Sequence, residues 1–209
     1  QLVLRTQQDI HTFAQQFPNC TRIESGLFIS GNDIQDLRPL EQLTYVAQAL
    51  EVVDNPNLRS LQGLHNIVEL EVFMPSPPAP PQSGSIVINN NVLLDDLDAL
   101  AQLKPLSSND FIALTITIQN NQSLTSINGL TGLDKGITFI TIAGNARLST
   151  LNGLQNIKSS IGIDLDSNAA LNDITALETL ELGRAGIRIV DNQMLSQCAI
   201  SSVCNAITT

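Results

Sequence analysis

Several residue types are scarce in this chain of 209 residues. Tryptophan is absent and aromatic residues make up only 3% of the chain, so a buried core has to consist of aliphatic side chains. Only 10 Lys and Arg residues stand against 20 Asp and Glu residues, and an acidic surface repels nucleic-acid phosphates and anionic lipid headgroups. We therefore expect no nucleic-acid partner.

Long apolar runs and targeting features are also missing. No stretch approaches the roughly 20 consecutive apolar residues that a membrane-spanning helix needs. Residues 1–5 do not have the layout of a signal peptide. We expect a soluble chain with no membrane span, from which any targeting signal has been trimmed.

Motifs of catalysis and cofactor binding are absent from the sequence. There is no Gly-rich phosphate loop, no Cys-x-x-Cys pair and no G-x-S-x-G elbow. The two histidines, His11 and His65, are too isolated to indicate a metal site or a catalytic triad. These absences favour binding over catalysis, and we expect no catalytic residue, metal or cofactor.

An apolar-x-apolar-x-x-Asn signature occurs seven times. Aliphatic residues five and three positions before each Asn alternate with period two, which is typical of a short strand. After the Asn the apolar spacing changes to three, which favours a 3₁₀-like or extended path over an α-helix. A short amide can satisfy backbone groups at such a turn, and we predict a structural ladder of Asn32, Asn55, Asn91, Asn121, Asn145, Asn168 and Asn192.

Each repeat is predicted to form one coil of a parallel β-solenoid, with about seven coils of 23–24 residues in residues 26–192. Two repeats are longer because of insertions near 74–84, which is rich in proline, and near 104–110. Both insertions fall at the same position within two adjacent coils. We expect the two loops to emerge side by side from one edge of the solenoid.

Both ends of the chain depart from the repeat. Residues 1–25 predict a strand and a helical cap, in which Thr6 and Asp9 form a capping box and one helix face carries Ile10, Phe13, Ala14 and Phe17. Residues 193–209 predict a terminal cap. A Cys198–Cys204 disulfide there is feasible if Cys198 precedes the helix start, and reduced packing thiols are the alternative. Cys20 is left over and is expected to be a buried thiol.

Residues between the inward strand positions should point outward and form a flat face. A patch of Phe28, Val53, Val87 and Phe139 among polar neighbours predicts a protein-binding surface, and an ordinary weakly polar sheet face is the alternative. The candidate binding residues are Phe28, Glu51, Val53, Val87, Asn89, Thr117, Gln119, Thr141, Asp164, Asp166 and Arg188.

Two acidic groups allow other chemistry. Asp164 and Asp166 lie two apart on one predicted strand, a spacing that a polysaccharide hydrolase could use, although no third acid or histidine is nearby. Calcium could bind there or at Asp95, Asp96 and Asp98. Solvated acidic faces explain both groups more simply.

The residues at 17–21, 26–29 and 124–130 are similar to those of receptor L domains, and the segment 195–204 resembles secreted L-domain-like repeat proteins of Bacteroidetes-type bacteria. The resemblance implies one right-handed, leucine-rich-repeat-like β-solenoid over residues 1–209, secreted or at the cell surface. It implies a non-catalytic module that recognises a protein ligand or a surface glycan. A polysaccharide-binding module is the alternative, but the scarcity of Trp and Tyr argues against sugar stacking. The sequence lacks the cysteine that pairs with the equivalent of Cys20 in animal receptors.

Overall fold

A computed structural model describes residues 1–72, 84–106 and 113–196, and this part of the chain is mainly β. It contains one α-helix, α1 (Gln7–Gln16), and short 3₁₀ segments at Arg38–Leu40, Asp98–Leu100, Asn128–Leu130 and Thr175–Leu177. The strands are β1 (Leu2–Leu4), β2 (Arg22–Ile23), β3 (Leu27–Ile29), β4 (Tyr45–Ala47), β5 (Ala49–Val53), β6 (Glu69–Glu71), β7 (Gly84–Asn89), β8 (Lys104–Leu106), β9 (Leu114–Gln119), β10 (Ile137–Ala143), β11 (Ser159–Asp166) and β12 (Glu181–Val190).

Two parallel sheets contain all of these strands. The main sheet has eight strands in the order β1-β3-β5-β7-β9-β10-β11-β12. The second sheet has four strands in the order β2-β4-β6-β8. Signature residues of one repeat pair with the same residues of the next repeat, as in the register Ile116, Ile140, Ile163, Ile187. The expectation of a mainly β protein with a large parallel sheet is confirmed.

Aliphatic residues at both predicted spacings form the core. Ile140 and Ile142 of β10 are buried, and Thr141 between them faces the other side of the sheet. The residues with spacing three are equally buried, as Leu124 and Leu133 illustrate. In four repeats this path includes a 3₁₀ segment, so the predicted 3₁₀-like course is confirmed there.

The second sheet was not predicted from the sequence. Its last strand, β8, contains residues 104–106, so the predicted insertion at 104–110 begins too early, because its first residues pair with β6. Most of the two insertions, residues 73–83 and 107–112, lies outside the described residues. The strands that precede them, β6 and β8, are paired, and so are the strands that follow, β7 and β9.

The N-terminal cap follows the capping-box prediction. The Thr6 hydroxyl accepts a hydrogen bond from the Asp9 backbone N–H at 3.0 Å, and the Asp9 carboxylate accepts one from the Thr6 N–H at 3.0 Å. Ile10 and Phe13 are buried, but Phe17 is 53% exposed. The Phe17 ring still packs against Phe13, with ring centroids 5.6 Å apart, so Phe17 lies at the exposed end of the predicted face, just after the helix ends at Gln16.

The cysteines divide between described and undescribed residues. Cys20 is half-buried and unbonded to another cysteine, and its thiol donates to the Arg22 carbonyl at 3.4 Å. It is therefore less buried than predicted, since it packs at the margin of the core. Cys198 and Cys204, with the predicted disulfide between them, lie outside the described residues.

Candidate functional site

Buried asparagines connect the repeats at the end of each main-sheet strand from β5 onward. The side-chain Oδ1 of each one accepts a hydrogen bond from one backbone N–H of the preceding repeat, at 2.9 to 3.2 Å. We call the position of this N–H a rung; it is Gly31 in the first repeat and the buried asparagine in the later ones. The Nδ2 of each one donates to a strand carbonyl of the preceding repeat, at 2.8 to 3.1 Å. Each amide therefore satisfies a buried backbone N–H just beyond the end of a strand, and it adds a second hydrogen bond to a carbonyl of a paired strand residue. These residues are Asn55, Asn91, Asn121, Asn145, Asn168 and Asn192.

Asn32 does not belong to this ladder, and the prediction for it is wrong. Asn32 is exposed, and the N–H that bonds the Asn55 Oδ1 belongs to Gly31. A Cβ on Gly31 would lie 2.0 Å from the carbonyl oxygen of Arg5, so no side chain fits at this first rung. The turn after β3 is one residue shorter than the later ones, since the next buried aliphatic residue follows two positions after Asn32 but three positions after Asn55, and this shift moves Asn32 out to solvent.

The residue just before each buried asparagine turns the chain out of the strand. Its backbone has a φ between 52° and 66° in every case from β5 onward. Asn, Asp and Gly tolerate this left-handed region best. The residue types before the buried asparagines are therefore a sequence signal for this turn, which our sequence analysis missed. These residues are Asp54, Asn90, Asn120, Gly144, Ser167 and Asp191.

The outward residues of the main sheet form two aligned rows, which we call the outer face. The first row is Phe28, Glu51, Val87, Thr117, Thr141, Asp164 and Arg188. The second is Val53, Asn89, Gln119, Ala143, Asp166 and Val190. The structure therefore places all the sequence-predicted binding residues on this one face.

The centre of the outer face carries no charge. Strands β7, β9 and β10 place Val, Asn, Thr, Gln, Ala, Ser and Phe side chains outward. Phe28, Val53, Val87 and Phe139 are half-buried rather than fully exposed. The guanidinium of Arg5 lies 5.8 Å from the centre of the Phe28 ring, so one end of the face has an arginine packed on its aromatic side chain.

Charge is concentrated at the other end of the outer face. Arg188 Nη1 lies 2.6 Å from Asp164 Oδ1 and 2.8 Å from Asp166 Oδ2. The Ser167 hydroxyl also donates to Asp166, at 2.6 Å. The Ser167 hydrogen bond, and after it Arg188, hold the pKa of Asp166 below its usual range. One arginine therefore bridges the two carboxylates that the sequence suggested for catalysis or calcium.

Other candidate residues do not converge. Among residues 1–72, 84–106 and 113–196, no group of three or more His, Cys, Asp and Glu side chains could hold a metal ion, so Asp95, Asp96 and Asp98 do not gather around one point. His65 accepts a hydrogen bond from the Gly63 N–H through Nδ1 at 3.3 Å. Its role in the described structure is to support a turn.

The second sheet contains a polar cluster that sequence reasoning missed. The Arg22 guanidinium lies 3.5 Å from the centre of the Tyr45 ring, and the Tyr45 hydroxyl donates to Glu71. Burial, and after it the hydrogen bond to Glu71, raises the pKa of Tyr45 well above its usual range. Arg22 also pairs with Glu24 at 2.9 Å. The ring is closed off from solvent, so this cluster stabilises the sheet and offers no open site.

Comparison with known proteins does not assign the chain to a family, so a functional argument depends on the residues described above. No protein family, curated protein or solved structure matches the chain. Within the described ranges, no helix has the length and apolar character needed to cross a bilayer.

Proposed function

We propose that the chain is a single right-handed parallel β-solenoid of the receptor L domain type, with one coil for each repeat. The strand order supports this architecture, because from β3 onward each main-sheet strand pairs with the main-sheet strand that follows it in the chain. The buried asparagine ladder also supports it, since each amide bonds the same position one repeat earlier. Side chains of equal position then stack above one another along the rod.

The proposed function is non-catalytic recognition of a protein ligand by a secreted or cell-surface module, through the outer face. The observation that carries the proposal is the uncharged centre of this face, formed by small polar and half-buried apolar side chains on β7, β9 and β10. Such a surface costs little to desolvate and suits a protein contact. The two insertions begin and end at neighbouring strands, which would extend the contact area.

The experiment compares two sets of glutamate variants. The test variant carries Phe28→Glu, Val53→Glu and Val87→Glu on the outer face. The control carries Val68→Glu and Val92→Glu, at valines that are 40% and 38% exposed away from that face. Partners selected from a displayed protein library on the unmodified chain should lose binding to the test variant and keep binding to the control.

Circular dichroism and urea unfolding would verify that both variants are folded. Equal binding of the selected partners to both variants would reject the outer face as the site. A library that yields no partner for the unmodified chain would reject protein recognition itself.

Glycan binding is the second candidate, and one observation favours it. Asp164, Asp166 and Arg188 place hydrogen-bonding groups together on the outer face, as sugar hydroxyls require. A glycan array on the unmodified chain tests it, with Arg188→Ala as the variant expected to lose any signal. No signal on the array would remove this candidate.

A polysaccharide hydrolase receives less support. A hydrolase of this kind needs one protonated carboxylic acid, whereas Arg188 contacts both carboxylates and the pKa of Asp166 is lowered. Incubation with polyuronides should therefore release no reducing ends. Release that disappears in Asp166→Asn would establish the hydrolase instead.

A further inference from the structure

Three hydrogen bonds recur between neighbouring repeats of the main sheet. At the junction of β10 and β11, the Gly144 N–H donates to the Asp166 carbonyl at 2.9 Å. The next N–H, that of Asn145, donates to the Asn168 Oδ1 at 3.0 Å. In return the Asn168 Nδ2 donates to the Ile142 carbonyl at 2.9 Å. Each repeat thus offers two N–H groups and one carbonyl that the next repeat satisfies.

The last described repeat offers the same three groups. The equivalents are the N–H groups of Asp191 and Asn192 and the carbonyl of Ile189. Within residues 1–72, 84–106 and 113–196, none of these three has a hydrogen-bond partner from a following repeat. Asn192 is nonetheless buried, and an unpaired buried N–H costs free energy.

The apolar side chains of β12 are incompletely covered as well. Ile187 and Ile189 pack against the core but remain half-buried. Their counterparts on β11, Ile163 and Leu165, are no more than 1% exposed. An open row of backbone groups beside uncovered core residues is a template for another strand.

We propose that the outer edge of β12 binds, in parallel, an extended strand of a partner protein that carries the same apolar-x-apolar-x-x-Asn signature. The two apolar residues of this strand cover Ile187 and Ile189. The amide of its asparagine accepts from the Asn192 N–H and donates to the Ile189 carbonyl. Its backbone carbonyl two residues before the asparagine accepts from the Asp191 N–H. The interface repeats the contact between β11 and β12 one step further.

Other occupants fit these groups less well. Residues 197–209 contain one asparagine, Asn205, and the residue three before it is Ser202, so this segment lacks the signature. A second copy would have to present the edge that faces the preceding repeat. In the described part of a copy, the main-sheet strand with that edge free is β1, and the residue three after Leu4 is Gln7, whose amide already bonds Asp36.

The charge on β12 adds a further requirement. Arg188 is exposed and bonds carboxylates of β11 on one side only. An acidic residue between the two apolar positions of the incoming strand would lie opposite Arg188 and attract it. The sequence of residues 161–168, Ile-Gly-Ile-Asp-Leu-Asp-Ser-Asn, has the signature and this acidic residue, and it serves as the probe.

The experiment titrates a synthetic peptide of this sequence into the full chain. Hydrogen exchange should show new protection at the amides of residues 187–192, and peptide anisotropy should give a saturable affinity. A control peptide that differs only by Asn168→Ala loses two hydrogen bonds, and we expect it to bind about tenfold more weakly. A scrambled peptide should not bind.

Three results would overturn the proposal. The first is equal binding of the Asn and Ala peptides, because the asparagine would then specify nothing. The second is protection that maps to a strand other than β12. The third is an absence of binding; if the amides of residues 187–192 are then already protected, residues 197–209 or a second copy hold the edge. Sedimentation at several concentrations separates those last two occupants.

Discussion

The asparagine ladder makes a quantitative prediction for Asn121→Ala. The Asn121 Oδ1 accepts from the Asn91 N–H at 3.0 Å, and its Nδ2 donates to the Ile88 carbonyl at 2.9 Å. Truncation leaves the Asn91 N–H buried without a partner and removes one of the two hydrogen bonds that the Ile88 carbonyl accepts, since β9 pairs with β7 at this residue. At about 1–3 kcal/mol for the unsatisfied N–H and about 1 kcal/mol for the lost hydrogen bond to the carbonyl, the free energy of unfolding should fall by roughly 3 kcal/mol.

Asn32→Ala is the matched control, because Asn32 occupies the same place in the sequence signature. Its side chain is exposed, and the bond that it contributes, from Asn57 Nδ2 at 2.7 Å, goes to its backbone carbonyl. We expect a change below about 0.5 kcal/mol. Urea unfolding followed by circular dichroism gives both values, provided that the slope with urea is unchanged.

Asn121→Asp probes the same rung without changing its shape. An ionised carboxylate still accepts from the Asn91 N–H, but it cannot donate to the Ile88 carbonyl, and burial disfavours its charge. Its pKa in the folded state should therefore be raised, and the destabilisation should shrink as the pH falls and the group becomes protonated. A loss in Asn121→Ala no larger than that in Asn32→Ala would refute the ladder as a source of stability.

Three further perturbations test the fold. The phenol of Tyr45, the only tyrosine, should resist ionisation in near-ultraviolet titration until the chain unfolds. Because the pKa of Tyr45 is raised in the folded chain, the free energy of unfolding should fall as the pH rises above the unfolded pKa of about 10. Ionisation of Tyr45 at that pH in the folded chain would contradict this. Gly153→Ala should lower the free energy of unfolding by about 3 kcal/mol, since φ is 118° and the new Cβ would lie 2.1 Å from a carbonyl oxygen. Gly186→Ala, with open space around it, should lower it by about 1 kcal/mol. Equal shifts of the melting temperature in the two variants would be inconsistent with this packing. Gln7→Ala should lower the free energy of unfolding by about 1–2 kcal/mol, because the Gln7 amide connects α1 to the first repeat by hydrogen bonds. In the same assay Gln8→Ala, at an exposed residue, should leave the free energy of unfolding nearly unchanged.

Patterns among neighbouring residues are sufficient to predict the local course of the chain. Period-two alternation before each asparagine predicts strands such as β10, since successive side chains of a strand point to opposite faces. The spacing of three after it predicts the 3₁₀ course. The pair Thr6 and Asp9 predicts the start of α1. Each of these signals depends on a few neighbouring residues, so no knowledge of distant contacts is needed.

Contacts between distant residues determine whether residues with the same local pattern occupy equivalent positions in the fold. Asn32 and Asn55 end the same signature, but in the first repeat the N–H of Gly31 bonds the Asn55 Oδ1. The carbonyl of Arg5 lies so close to Gly31 that no side chain fits there, and Asn32 is left in solvent. Only the register of β11 and β12 brings Arg188 between Asp164 and Asp166. Such contacts join residues that are more than twenty positions apart. Their geometry depends on the length of every intervening turn, and a pattern within one repeat does not contain that information.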